Sequence, residues 1–138
     1  MPTRINWHVV QARREIQERL DRALTAVALQ IEAQAKVEIT NNGQVDTGFL
    51  RTSGYTVAPN TNTFNQVEPG GMKTSKATGA SVRRDRAPRP VQPKPGEAVV
   101  GFAADYAVYQ ETRNSFLHRA GEMVRGQEAE RAIASSIR

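Results

Sequence analysis

Residues 9–40 read VVQARREIQERLDRALTAVALQIEAQAKVEIT and form the longest segment with a single regular pattern in the chain. Its apolar residues recur at steps of three and four, which places them on one face of an α-helix. Alanine is abundant and proline absent, both of which favour a helix. We predict a helix of roughly 45 Å, at about 1.5 Å per residue, whose far end projects or packs on a neighbouring subunit. The stripe consists of Ile16, Leu20, Leu24, Val27, Ile31 and Ala35.

The residues that follow predict where this helix ends and what it packs on. Asn41, Asn42 and Gly43 can adopt the left-handed conformation that ends a helix. Asp46 is a candidate N-cap for a single helical turn. Residues 53–58 and 97–102 have the alternation or apolar character of strands. We expect the helix stripe from Leu20 to Ile31 to pack on the apolar residues of these strands and of the last helix, namely Tyr55, Val57, Val99, Phe116 and Leu117.

The C-terminal third predicts two further helical segments. Residues 106–111 form a short one after Asp105, and Ser115 can cap a last helix. That helix carries Phe116, Leu117, Ala120 and Val124 on one face. The order of these elements predicts an α+β fold: a long N-terminal helix packed on a small antiparallel sheet, a long extended basic arm or hairpin, and a C-terminal helix.

Length and composition limit the class of protein. The 138 residues fit one domain, and the 38% hydrophobic share lies below the usual value of about 45–50%. The absence of cysteine excludes disulfides and thiolate chemistry, and the two distant histidines, His8 and His118, argue against a zinc site. With no membrane-length apolar run and no signal-peptide pattern at the N-terminus, we expect a soluble protein.

The arm, residues 59–96, is inserted into this single domain, 1–138. It holds six of the seven prolines and, between residues 72 and 96, seven cationic side chains against Asp85 alone. That shorter segment therefore carries +6, while the rest of the chain carries −1. The high charge thus predicts a partner for the arm. The cations are Lys73, Lys76, Arg83, Arg84, Arg86, Arg89 and Lys94.

Three environments for these cations remain open. The arm is a loop that contacts only solvent, or it docks on an acidic surface of another protein, or it binds a phosphate backbone. Residues 72–96 contain no aromatic side chain on which bases could stack. Docking on an acidic neighbour is therefore the favoured prediction.

Enzyme chemistry finds little support in the sequence. Asp46-Thr47-Gly48 matches the short motif of aspartic proteases, but polar residues precede it where those enzymes have an apolar strand. The serines and histidines lack the settings of known nucleophiles. We predict that the protein is not an enzyme and has no catalytic residue, cofactor or metal.

Three segments, taken in order, carry a resemblance. They are the long helix leading to Val45-Asp46-Thr47-Gly48-Phe49-Leu50-Arg51-Thr52-Ser53, a strand leading to Tyr106-Ala107-Val108-Tyr109-Gln110-Glu111, and Phe116-Leu117 at the start of a helix. This order resembles the tail-component family of siphophages, whose members are called head–tail joining, neck, tail-completion or minor tail proteins. Gln44 stands where that family often has proline, and Thr112-Arg113 where it has glycine-threonine.

The resemblance implies a virion protein of the neck or tail top, assembled in the bacterial cytoplasm. It implies a ring, commonly six-fold, around the DNA channel. The ring contacts head-completion or connector proteins and tail terminator or tube proteins, without a membrane. The alternative from a different class is a small basic nucleic-acid-binding protein that uses residues 72–96. The residues that carry the family pattern, expected to be structural, are Asp46, Gly48, Leu50, Tyr106, Tyr109, Glu111, Phe116 and Leu117.

Overall fold

The computed structural model describes the backbone of residues 4–43 and 47–125, and the side chains of residues 9–43 and 47–125. Within them, the fold is α+β as predicted, with a long helix, a small antiparallel sheet and C-terminal helices. The elements are α1 (Arg4–Asn41), α2 (Phe49–Thr52), β1 (Gly54–Ala58), β2 (Thr61–Asn62), a 3₁₀ turn (Phe64–Gln66), β3 (Gly71–Thr74), β4 (Ser81–Arg84), β5 (Val99–Phe102), α3 (Ala107–Asn114) and α4 (Phe116–Val124).

Helix α1 has 38 residues and is therefore about 57 Å long. It ends where the sequence predicts. The backbone N–H of Asn42 still donates to the carbonyl of Glu38, and Gly43 turns the chain with a φ of 69°. A residue with a Cβ resists that left-handed conformation, so glycine suits the position.

The sheet has three strands in the order β2-β1-β5, and both pairings are antiparallel. The central pair runs from Gly54 opposite Phe102 to Val57 opposite Val99. A separate antiparallel hairpin, β3–β4, lies within the arm. Every residue of β1 is buried, which requires that both faces of the sheet are covered.

Helices cover one face. Thr56 of β1 donates a hydrogen bond from its hydroxyl to Glu32 of α1 at 2.8 Å. Helix α4 packs along α1, and the largest core cluster lies here, with Ile39 of α1 and Phe116 of α4 almost completely buried. The rings of Phe102 and Phe116 meet edge to face at 5.0 Å, an arrangement that stabilises aromatic pairs.

The arm covers the opposite face. The cluster on this side consists of Tyr55, Val57, Phe64, Val67 and Ala103, with Val99 packed against it. The expectation that Tyr55, Val57 and Val99 lie beneath the α1 stripe was therefore wrong. Adjacent side chains on a strand point to opposite faces, and it is Thr56 that faces the helix. The polar side chain of Thr56 is satisfied by its hydrogen bond to Glu32. The hydrophobic pattern of the sequence gave no sign of this contact.

The N-terminal part of α1 extends beyond the rest of the described structure. Residues 9–20 are all exposed, including the predicted stripe residues Ile16 (57%) and Leu20 (58%). The stripe is half-buried at Leu24, Val27 and Ile31, and it is fully buried at Ala35. The prediction that Leu20 belongs to the core was wrong, because Gln17 and Asp21 occupy the face of α1 that lies towards β1 and the proline-rich segment at this level, and Leu20 lies on a different face of the helix.

We predict that Ile39→Ala and Leu20→Ala have very different effects on the isolated chain. Ile39 is fully buried, so its truncation should lower the free energy of unfolding by about 2–5 kcal/mol. Leu20→Ala should change it by less than about 0.5 kcal/mol, as expected for an exposed site. Urea unfolding of both variants at low protein concentration measures the difference. Equal losses would contradict the boundary of the core.

Candidate interaction surfaces

The first half of the arm is folded onto the sheet. Residues 64–66 form the 3₁₀ turn Phe64–Gln66. The turn places the ring of Phe64 edge to face with Tyr55 at 5.1 Å, and Val67 is also buried. The Tyr55 hydroxyl accepts a hydrogen bond from the backbone N–H of Val91 at 3.1 Å. Both ends of the arm therefore contribute to the fold.

Three of the seven arm cations lie over aromatic rings. Lys73 lies over the ring of Phe49 at 5.3 Å, Arg84 over Tyr106 at 4.9 Å and Arg86 over Phe64 at 4.9 Å. Each distance is within the range of a cation–π interaction. Arg86 also donates to the carbonyl of Val67 at 3.2 Å, so both of these Arg86 contacts lie within the arm. All three side chains are half-buried, and Lys73 and Arg84 fasten the arm to the rest of the domain.

The other four cations are exposed. Arg83 forms an ion pair with Asp85 at 3.3 Å. Lys76 lies in the turn between β3 and β4, while Arg89 and Lys94 lie in the proline-rich segment that leads to β5. All four predicted interaction residues are thus presented to solvent, and the charge of Arg83 is paired with Asp85. Sequence reasoning could not separate these groups, because charge pattern alone does not say which cations find an aromatic ring.

An ion-pair cluster holds the base of the β3–β4 hairpin. The Glu68 carboxylate accepts hydrogen bonds from Lys73 Nζ at 2.8 Å and from the Thr52 hydroxyl at 2.6 Å. The hydrogen bond from Lys73 contributes most to lowering the pKa of Glu68, and the hydrogen bond from Thr52 adds to it, because both donors favour the charged carboxylate. Partial burial acts in the opposite direction and only reduces the shift. The cluster ties the hairpin to the end of α2.

We predict that Glu68 contributes to stability at neutral pH and that acid removes the contribution. Its pKa is lower in the folded chain than in the unfolded one, so the stabilisation is lost as the pH falls through the folded value. Glu68→Gln should therefore be less stable than the parent at pH 7 and should approach it in acid. Urea unfolding at a series of pH values tests this, and a difference that stays constant with pH would contradict it.

Residues 47–53, the described part of the first motif segment, include α2. Gly48 has a φ of 80° at the start of that turn, a conformation that favours glycine, and Leu50 is buried in the main cluster. The backbone N–H of Phe49 donates to the Thr47 hydroxyl at 3.2 Å. Asp46, the predicted N-cap, lies outside the described residues.

The second family segment surrounds α3. Tyr106 is half-buried beneath Arg84, and burial raises the pKa of its hydroxyl, opposed by hydrogen bonds to Thr47 and Leu50. Tyr109 is exposed, and Arg113 lies over its ring at 5.7 Å. The two tyrosines thus differ in role: Tyr106 is part of the packed domain, and Tyr109 is on its surface.

Glu111 caps helix α4. Its carboxylate accepts the backbone N–H of Leu117 at 2.8 Å and that of His118 at 3.1 Å. Ser115, the predicted cap, makes no such side-chain hydrogen bond and has a φ of 50°. Glu111 thereby fixes the start of the helix that carries the buried Phe116 and the partly buried Leu117. A charged acceptor at a helix N-terminus is also stabilised by the helix dipole.

We predict that Glu111→Ala lowers the free energy of unfolding by about 1 kcal/mol, the usual loss on removing an N-terminal cap. Ser115→Ala is the matched control and should have little effect, since its hydroxyl makes no cap bond. Thermal or urea unfolding of the two variants measures the difference. A larger loss for Ser115→Ala would show that the cap is assigned to the wrong residue.

An apolar groove opens beside this cap. Its volume is about 420 Å³, and Phe102, Ala107, Val108, Phe116 and Leu117 supply its apolar lining. Val108 is 79% exposed, an unusual degree for an aliphatic side chain with apolar neighbours. Sequence reasoning did not single out Val108, although an apolar residue between Tyr106 and Tyr109 on a short helix was a usable signal.

The described residues contain no cluster of three or more potential metal ligands. No helix in the same ranges is long and apolar enough to cross a membrane. No family model, curated protein or solved structure matches the chain. The function is therefore inferred from the chain's own surfaces.

Proposed function

We propose that the protein is a non-enzymatic structural subunit of the head–tail connector, or neck, of a tailed bacteriophage. In this role it joins or completes the tail at the head as part of a homo-oligomeric ring, a homohexamer, around the DNA channel. The observation that carries the proposal is the projecting part of α1, where residues 9–20 are all exposed although Val10, Ile16 and Leu20 are large and apolar. Such a surface is typical of a contact between proteins.

The order of the sequence motifs supports the same proposal. Gly48, Leu50, Glu111 and Phe116 each have a definite structural role, as a turn, a core residue, a helix cap and a core residue. Motif residues that stabilise the fold, and do not form a catalytic site, are compatible with a virion protein that acts through its surfaces. The neighbouring rings, formed by head-completion or connector proteins and by tail terminator or tube proteins, are the proposed partners of the arm.

The exposed arm cations supply the contact with those partners or with DNA in the channel. Lys76, Arg89 and Lys94 are exposed on the arm. The alternative, a small basic nucleic-acid-binding protein, loses support because Lys73, Arg83, Arg84 and Arg86 are engaged within the chain. Fewer free cations mean fewer phosphates neutralised.

We predict that Arg89→Glu/Lys94→Glu in the encoding phage leaves the subunit folded but separates heads from tails. The substitutions reverse two exposed charges without altering the sheet or α1. Arg119→Glu/Arg125→Glu, on α4 and just after it, changes the net charge equally and is the matched control. Electron microscopy of lysates and the titre of infectious particles measure the effect.

Three outcomes discriminate the functions. Loose heads and tails for the arm variant alone, with the protein present in stoichiometric amount in wild-type particles, support the proposal. Its absence from purified particles contradicts a structural role. Unchanged joining, combined with a steep salt dependence of DNA affinity in the isolated protein that the arm variant abolishes, favours the nucleic-acid-binding alternative.

A further inference from the structure

Two apolar surfaces of this chain lack a cover within the described residues, and they lie far apart. One is the stripe on the projecting part of α1, Val9, Ile16 and Leu20, which has the spacing of one helix face. The other is the groove between α3 and α4 around Val108. The groove residues Phe102, Phe116 and Leu117 belong to the core cluster that includes Ala35 and Ile39 of α1.

The projecting stripe cannot reach the groove of its own chain. Leu20 precedes Ala35 by 15 residues in one continuous helix, a separation of about 22 Å along the axis, and Val9 lies about 39 Å from Ala35. A helix cannot fold back on itself without breaking. A contact between the two surfaces therefore requires two copies of the chain.

We propose that the projecting part of α1 of one subunit docks into the α3–α4 groove of the next copy, head to tail. This inference rests on the proposed function and assigns the ring contact to particular residues. Because the two surfaces differ, each subunit uses one surface with each neighbour, the arrangement that generates rings. A contact of about 12 helical residues is smaller than most stable pairwise interfaces. Ring closure, which gives every subunit two such contacts, compensates for this.

The two surfaces offer one complementary pair of charges at their edges. Arg13 and Arg19 lie on either side of the Ile16–Leu20 line of the helix. Glu111 lines the groove, and its two hydrogen bonds to α4 leave acceptor positions on the carboxylate free, since a carboxylate has about four. An arginine from the incoming helix can therefore bind Glu111 at the edge of the groove.

The absence of natural cysteines makes disulfide trapping a direct test. A chain with both Ile16→Cys and Val108→Cys should form a ladder of covalent multimers on mild oxidation. A mixture of the two single variants should give one heterodimer band. Arg14→Cys with Val108→Cys is the matched control, because Arg14 faces away from the stripe, and it should crosslink at least about tenfold more slowly, as expected for a pair that the docked helix holds apart.

The results of this test separate the proposed contact from the proposed function. Rapid disulfide formation by Ile16→Cys alone would show that two helices pair with each other, which overturns the groove as the binding site. Closure of an Ile16→Cys/Ile133→Cys chain within a monomer would show that the C-terminal segment covers the stripe, and this also overturns it. If the protein forms rings by light scattering and electron microscopy, but the Ile16→Cys/Val108→Cys chain gives no ladder, the two surfaces are wrong and the connector function still stands.

Discussion

The burial of β1 on both faces is the constraint on which the described structure depends. All five of its residues are buried, so neither the helices nor the arm alone can complete the domain. Helices α1 and α4 cover the side of Thr56, and the segment from Phe64 to Val67 covers the side of Tyr55. Burying apolar surface on both sides of a strand is how a chain with a low hydrophobic content forms a core.

This constraint divides the arm into two functional parts. Its ends are structural. Phe64 and Val67 belong to the core cluster around Tyr55. Arg86 donates a hydrogen bond to the carbonyl of Val67, and Val91 donates one to the Tyr55 hydroxyl. What remains exposed is the β3–β4 turn with Lys76 and the proline-rich segment with Arg89 and Lys94, the parts that we propose for contact with a partner. The entropic cost of ordering the arm is thus met in part by contacts within the domain.

A second consequence is the mismatch between α1 and the rest of the domain. The sheet and α4 are shorter than α1, and its first described turns have nothing to pack on among the described residues. The same apolar periodicity therefore has two meanings along one helix. From Leu24 to Ala35 it marks the interior of the domain, and at Ile16 and Leu20 it marks an exposed surface, which we propose that another subunit covers. Periodicity records that a face is apolar, and it contains no information on which chain covers that face.

The amino-acid sequence was sufficient to predict the α+β class, the long helix with its end at Asn41, the strands β1 and β5, and the helix that buries Phe116, Ala120 and Val124. These follow from local signals: step sizes of three and four, alternation, and glycine or asparagine at helix ends. The folded structure was needed to show that Thr56 faces α1, that Glu111 replaces Ser115 as the cap of α4, and which arm cations lie over aromatic rings. Each of those results depends on pairs of residues brought together by packing, such as Arg84 and Tyr106, 22 positions apart in the sequence. Local propensity acts within a turn or a strand, whereas contacts between distant residues are selected by the energy of the whole core.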